Sequence, residues 1–161
     1  MPVAAFDLDG TLTEGGSVGR WLRHLAGTRQ FLTAGVSLAP ALTLGAIASG
    51  RQADSAKEQL FRKILSGRDA ADVQHESEEF GRHHVEQELR PEVLDRLRWH
   101  QALGHRTVVV SASPELYVAV IAAHLGADGA IGTRLAVDPL GRLTGGYLGR
   151  NCRDRKSTRL N

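Results

Sequence analysis

The chain has 161 residues, of which 42% are hydrophobic and 24% are charged, and its formal net charge is +2 at pH 7. This length can bury one sizeable core and a small additional domain. The single cysteine, Cys152, excludes an internal disulfide bond, and Met1 leads into an apolar run without a basic and apolar leader, so we expect a cytoplasmic protein.

The positive net charge comes from the last eight residues. Residues 154–161 hold three of the 20 Lys and Arg residues and one of the 18 Asp and Glu residues, which leaves 17 of each sign in the rest of the chain. Because this neutral body has no patterned basic face, we predict no nucleic-acid partner.

The first predicted element is a buried strand that ends in two acids. Val3 to Phe6 is a short apolar run, and Asp7 and Asp9 follow it before Gly10. Open α/β sheets bind ligands at the carboxyl ends of their strands. With the two-residue period of a strand, both carboxylates leave one face and repel each other unless a cation lies between them or one is protonated. The pair predicts a Mg²⁺ site or acid/base chemistry, with a plain Asp-x-Asp-Gly turn as the alternative.

Helical character then continues almost without interruption to the next strand. Glycines and an Arg-Pro step divide this region and predict helices over residues 17–26, 30–49, 53–66 and 70–89, which form a small bundle. A further amphipathic helix over 91–103 returns the chain to the sheet.

One part of this region, residues 31–49, contains 19 consecutive residues without a charge. That length could span a bilayer. Pro40 at its centre, two glycines and many Ala, Ser and Thr residues make the segment only mildly apolar. We favour a buried helix, with contact to a membrane or to lipid-like substrates as the alternative.

A second strand and helix follow. The β-branched run 107–110 precedes Ser111, Ala112 and Ser113, and a helix is predicted over 114–126. A hydroxyl and free backbone N–H groups at a helix start suit an anion such as phosphate, and an ordinary Ser-x-Ser helix start is the alternative. We expect Ser113 to cap the helix.

The remaining chain predicts β structure. A short strand is expected around 130–135, and residues 137–143 are typical of a hairpin turn before another strand. The seven histidines lack the spacing of metal ligands, and we expect them to be solvated or locally packed.

Two motifs carry a family resemblance. The string Asp-Leu-Asp-Gly-Thr-Leu-Thr, which begins at Asp7, resembles the first motif of the haloacid dehalogenase superfamily of phosphohydrolases, and Thr-Val-Val-Val-Ser-Ala-Ser, which ends at Ser113, resembles the second. The helical insertion between them is similar to the cap of phosphoserine phosphatase-like members. The resemblance implies an α/β fold: an incomplete Rossmann-like three-layer parallel sheet core, formed by residues 1–14 and 91–153, with an α-helical bundle cap inserted at 15–90.

The same resemblance implies a Mg²⁺-dependent phosphomonoester hydrolase that acts through an aspartyl-phosphate. Asp7 would be the nucleophile and Asp9 the general acid and base. The Asp7 carboxylate and the Asp9 backbone carbonyl would hold Mg²⁺. Gly10, Ser111 and Ala112 would form the phosphate cradle.

The substrate class implied is a small phosphorylated metabolite. The resemblance makes phosphoserine a natural candidate, and a phospholipid head group or a sugar phosphate would suit the apolar cap as well. Cap side chains set specificity in this group, and Glu14, Arg20 and Arg23 are expected contributors, with plain surface positions as the alternative. The sequence does not determine the oligomeric state.

The carboxyl end departs from the resemblance. Residues 154–161, Asp-Arg-Lys-Ser-Thr-Arg-Leu-Asn, match a translated sequencing-library adapter, so we interpret them as a non-native tail, with a genuine basic tail as the alternative. Family members continue with a lysine that contacts the phosphoryl group and a further acidic motif, and we assign neither role to Lys156. A second interpretation is therefore a catalytically incomplete phosphatase with residual phosphate binding and an unpaired edge beside the first strand.

Overall fold

The computed structural model describes the backbone of residues 1–47 and 51–149 and the side chains of residues 1–34 and 57–149. The suspected tail at 154–161 lies outside the described residues. In chain order the described elements are β1 (Val3–Asp7), α1 (Val18–Ile47), α2 (Arg51–Leu65), α3 (Ala70–Glu88), α4 (Pro91–Ala102), β2 (Arg106–Pro114), α5 (Glu115–His124), β3 (Gly129–Thr133), β4 (Leu135–Val137) and β5 (Leu143–Tyr147).

The apolar runs predicted as strands form a parallel sheet with the order β1-β2-β3. The β-branched residues of β2 favour this extended backbone. Asp7 pairs with Val110, so the first acid lies beside the residue that precedes Ser111. Helix α4 packs on β1 and β2, and α5 packs on β2 and β3. The predicted α/β class with a Rossmann-like parallel sheet is confirmed. Strand β1 lies at an edge of this described sheet.

The strand predicted around 130–135 is divided between two sheets. Its first part is β3 of the parallel sheet, whereas its last residue begins β4, which pairs antiparallel with β5. The predicted hairpin turn is confirmed, since the Asp138 side chain accepts hydrogen bonds from the backbone N–H groups of Leu140 and Arg142, both at 2.9 Å.

The predicted helices lie within a few residues of those found. The helices expected over 17–26 and 30–49 form one kinked helix, α1, which breaks at Gly27 with φ 70° and ψ 160°. Among the described residues, no helix is both long and apolar enough to cross a membrane. The side chains of residues 35–49 lie outside the described residues.

One buried aromatic cluster joins the helical insertion to the sheet. Trp21 of α1, Phe61 of α2 and Tyr117 of α5 are fully buried. The Trp21 ring centroid lies 5.7 Å from that of Phe61 and 5.6 Å from that of Tyr117, and Phe80 of α3 meets Tyr117 edge-on at 5.2 Å. The division into a core at 1–14 and 91–153 and a cap at 15–90 stays a prediction.

Strand β5 approaches α2 most closely at Gly145. This residue has a φ of +76°, and a Cβ there would lie 2.3 Å from the Cα of Arg62. Both the left-handed backbone and the lack of space therefore require glycine. The neighbouring Gly146 differs, because a Cβ there would meet only the Thr144 Oγ1, at 3.5 Å.

We expect Gly145→Ala to lower the free energy of unfolding by about 2–4 kcal/mol, since it combines left-handed strain with overpacking. Urea denaturation measures this change. Gly146→Ala, one residue away on the same strand, is the matched control and should cost less than about 1 kcal/mol. Equal losses in the two variants would show that the approach of β5 to α2 is not the constraint.

Candidate active site

The loop after β1 is a compact turn. Gly10 has a φ of +77°, and its N–H donates to the carbonyl of Thr13 at 2.9 Å. The carbonyl of Leu8 accepts hydrogen bonds from the N–H groups of Thr11 and Thr13. A Cβ at Gly10 would meet no described atom within 4 Å, so the backbone conformation is what favours glycine there.

The turn, and not the strand, sets the direction of the second acid. Strand β1 ends at Asp7, so the two-residue period of the strand does not extend to Asp9. That both carboxylates leave one face stays a prediction. Asp7 is exposed at the end of the strand, whereas Asp9 is half-buried.

The Asp9 carboxylate accepts hydrogen bonds from three donors. The backbone N–H of Ser17 donates to Oδ1 at 2.6 Å, and the hydroxyls of Ser113 and Ser111 donate to Oδ2 at 2.6 and 3.1 Å. Such charge-assisted hydrogen bonds are about twice as strong as neutral ones. They hold Asp9 at the junction of the first-motif loop, the start of α1 and the end of β2.

Ser113 does not have its predicted role as a helix cap. Strand β2 runs on to Pro114, which is the N-cap residue of α5 and makes no side-chain capping hydrogen bond. Since the backbone is still extended at Ser113, its hydroxyl is directed to Asp9. Ser111 also donates to Asp9 and accepts a hydrogen bond from the Ser113 N–H at 3.0 Å.

A second layer of hydroxyls lies behind Asp9. The Ser17 Oγ is 2.7 Å from the Tyr117 hydroxyl and 3.3 Å from the Ser113 Oγ, and all three residues are buried. Burial, and then the negative charge of Asp9, raise the pKa of Tyr117 far above its ordinary value, so this hydroxyl stays protonated. Sequence reasoning missed Ser17 and Tyr117, although the position of Ser17 at a predicted helix start was a usable signal.

A lysine of α2 reaches the second motif. The Lys57 Nζ donates to the backbone carbonyl of Ala112 at 2.8 Å and lies 5.6 Å from the ring centroid of the buried Phe61. Ala112 is one of the residues predicted to bind phosphate, so this contact adds a positive charge beside the predicted cradle. The sequence carried no signal for it, because the two residues are 55 positions apart.

A cavity of about 480 Å³ lies between α1 and α3. Arg20 and Arg23 line it, and Arg20 forms an ion pair with Glu88. His84 also lines it, with its ring stacked on Phe80 at 5.1 Å. In the described part of the chain, the buried His84 Nε2 has no hydrogen-bond partner. The expected contribution of Glu14, Arg20 and Arg23 to substrate specificity stays a prediction.

The oxygen atoms of the first motif fit a hard cation. Mg²⁺ takes oxygen ligands and usually binds one or two carboxylates while keeping several waters. The exposed Asp7 carboxylate and the Asp9 backbone carbonyl offer oxygen atoms of this kind. Within residues 1–34 and 57–149, no three His, Cys, Asp or Glu side chains come together as metal ligands. The described residues therefore offer a partial ligand set.

The chain matches the family model of haloacid dehalogenase-like hydrolases over residues 4–161. It belongs to the haloacid dehalogenase-like hydrolase family. The hydrolase is 38% identical over 151 residues to protein CicA of Caulobacter vibrioides (strain NA1000 / CB15N), in an alignment that covers 94% of this chain and 67% of CicA.

Solved structures share its fold. A protein of unknown function from Bordetella pertussis Tohama I superposes with a TM-score of 0.78 at 27% identity, over 100% of this chain and 73% of that one. A phospho-aspartyl intermediate analogue of phosphoserine phosphatase superposes with a TM-score of 0.54 at 20% identity, over 92% and 63%. The latter likeness concerns the fold alone.

The buried His84 predicts a pH-dependent stability. Burial, and then the positive charge of Arg20, lower the pKa of His84, whereas an unfolded histidine titrates near about 6.5. The folded state therefore binds this proton more weakly than the unfolded state. Its stabilisation is complete above the unfolded pKa and is lost as the pH falls below it.

We expect His84→Gln to flatten this dependence, so that its free energy of unfolding falls less than that of the wild type between pH 7.5 and 5.5. Urea denaturation at the two pH values measures both slopes. His75→Gln, at an exposed position of α3, controls for the loss of an imidazole. A wild-type slope in His84→Gln would contradict the prediction.

Proposed function

We propose that this hydrolase is a Mg²⁺-dependent phosphomonoester hydrolase that acts on a small phosphorylated metabolite through an aspartyl-phosphate. The observation that carries the proposal is the pairing of an exposed Asp7 with an Asp9 carboxylate that three donors hold in place at the carboxyl ends of parallel strands. Ligands of open α/β sheets bind at this edge. Membership of a hydrolase family supports the reaction class.

The two acids have different environments that suit different roles. An exposed carboxylate at a strand end can reach a phosphorus atom, so Asp7 is the nucleophile. Asp9 is held at a fixed orientation, as a proton-transfer group must be, and is the general acid and base. The sequence separation between them is short, yet the turn at Gly10 places them in distinct surroundings.

The reaction then has two balanced steps. In the first, an Asp7 oxygen forms a bond to phosphorus while the ester P–O bond breaks, and the departing alkoxide takes a proton from Asp9. In the second, Asp9 takes a proton from a water whose oxygen attacks phosphorus, and the bond from phosphorus to Asp7 breaks to release inorganic phosphate. Bound Mg²⁺ would neutralise negative charge on the transferring phosphoryl group.

Three parts of the chain surround the proposed phosphate position. Gly10 turns the first-motif loop, and Ser111 and Ala112 lie near the carboxyl end of the central strand. Lys57 brings an ammonium group to the Ala112 carbonyl and adds the positive charge that a phosphate dianion needs. Phosphoserine is one substrate to test, beside a sugar phosphate and a phospholipid head group.

A second candidate function is phosphate binding with little turnover. The observation that favours it is the partial ligand set, since no three metal-ligating side chains come together among the described residues. In that case a longer form of the protein that adds a further acidic motif should release phosphate much faster than this chain. Equal rates from the two forms would contradict the second candidate.

The decisive test of the proposal is Asp7→Asn. We expect Mg²⁺-dependent release of phosphate from nitrophenyl phosphate and from a metabolite panel, and a loss of more than about a thousandfold in the variant, because the amide cannot attack phosphorus. Asp95→Asn, at an exposed position of α4, is the matched control and should keep wild-type rates. Turnover that survives in Asp7→Asn would remove the nucleophile assignment.

A separate prediction concerns the lysine of α2. We expect Lys57→Gln to raise the dissociation constant of inorganic phosphate about tenfold, because a hydrogen bond to a charged group contributes about 1.5–3 kcal/mol. Isothermal titration calorimetry measures this constant without turnover. Lys63→Gln, at an exposed position of the same helix, is the control and should leave it unchanged. Equal affinities in the wild type and Lys57→Gln would exclude a phosphate contact.

A further inference from the structure

We propose that a directed chain of hydroxyls, from Tyr117 through Ser17 and Ser113, positions the Asp9 carboxylate for proton transfer. The inference rests on the proposed function, because it gives Asp9 the role of acid and base. It assigns to Tyr117, Ser17 and Ser113 the part of positioning residues, which act on the substrate only through Asp9.

The direction of the chain follows from counting protons. In the ionised form, in which Asp9 takes a proton from the attacking water, the carboxylate has no proton to donate, so the Ser113 hydroxyl donates its one proton to the Asp9 Oδ2 at 2.6 Å. Ser113 then accepts from the Ser17 hydroxyl at 3.3 Å, and the Tyr117 hydroxyl also interacts with it. When Ser17 donates to Ser113, it accepts from the Tyr117 hydroxyl at 2.7 Å. Every proton in the chain therefore points towards Asp9.

Burial makes this chain effective. Ser17 and Tyr117 are 0% exposed and Ser113 is 2% exposed, so water does not compete for their hydroxyls. The Tyr117 ring is packed between Trp21 and Phe80, which fixes the far end of the chain. Burial and the charge of Asp9 raise the pKa of Tyr117, so that its hydroxyl remains a donor.

The chain holds one oxygen of Asp9 while the backbone holds the other. The Ser17 N–H donates to Oδ1, and the hydroxyl chain and the Ser111 hydroxyl both end on Oδ2, so the carboxylate cannot rotate without breaking at least one of these hydrogen bonds. Proton transfer depends on geometry that is correct to about 0.5 Å and 10–20°. Without the Tyr117 hydroxyl, the Ser17 oxygen loses its donor, and the 3.3 Å hydrogen bond from Ser17 to Ser113 is no longer polarised by it.

The test compares two leaving groups. An alkyl phosphate needs the proton from Asp9, whereas nitrophenolate leaves without help. We expect Tyr117→Phe and Ser113→Ala to lower kcat/KM for an alkyl phosphate about tenfold or more. The same variants should lower kcat/KM for nitrophenyl phosphate less than about threefold. For comparison, a general acid typically contributes about 10²- to 10⁴-fold to the rate. Phosphate affinity should not change.

Matched controls separate position from packing. Tyr147→Phe removes a tyrosine hydroxyl from the same aromatic cluster and should alter neither rate. When Tyr117→Phe is added to Ser113→Ala, kcat/KM for the alkyl phosphate should hardly fall further, because Ser113→Ala has already broken the link from Tyr117 to Asp9. Additive losses of kcat/KM in the double variant, or equal losses with both leaving groups, would overturn the proposed hydroxyl chain and indicate a structural role.

A crystal structure of each variant tests the proposal without turnover. We expect the Asp9 carboxylate to shift in Ser113→Ala, where only the Ser17 N–H and the Ser111 hydroxyl still donate to it, and an unmoved carboxylate would overturn the proposal. The outcome is distinct from a failure of the proposed function, which Asp7→Asn decides. Should Asp7→Asn retain activity while Asp9 moves as expected, the positioning stands and the nucleophile assignment falls.

Discussion

The carboxylate of Asp9 connects separate segments of this molecule through hydrogen bonds. It accepts hydrogen bonds from Ser17, eight residues later, and from Ser111 and Ser113, more than 100 residues later. A half-buried carboxylate has to find donors, since an unpaired buried charge is strongly destabilising. The loop after β1, the start of α1 and the end of β2 therefore have to meet at this group.

Further contacts in the surrounding structure hold these segments together. The start of α1 is held by Ser17 at Asp9 and by Trp21 in the buried aromatic cluster, one turn further along the helix. The carboxyl end of α3 is joined to the first-motif loop by a backbone hydrogen bond from Glu14 to Glu88 at 2.9 Å. Lys57 ties α2 to the second motif. The helical insertion thus contacts both motifs of this hydrolase, which allows its side chains to influence the site.

Local patterns predicted the elements that depend on neighbours in sequence. The β-branched run of β2, the break at Gly27 and the turn at Asp138 are each decided by the backbone preferences of a few adjacent residues. The predictions that were wrong concern residues whose conformation depends on a partner far away in the sequence. Ser113 has the sequence signature of a helix cap, but the acceptor offered by Asp9 draws its hydroxyl away from α5. The sequence around 130–135 predicts one strand, but its first residues pair with β2 and Leu135 pairs with β5.

By itself the sequence determined the α/β class, the two motifs and the positions of Asp7 and Asp9 in the first of them. Each of these depends on consecutive residues or on a hydrophobic pattern that repeats every few residues. Only the tertiary structure decided that Ser17, Tyr117 and Lys57 contact the two motifs and one another, since these contacts join segments up to 100 residues apart. The physical reason is that hydrogen bonds and charges act over a few ångströms in space. No local pattern in the chain records which distant side chains will be brought within that range.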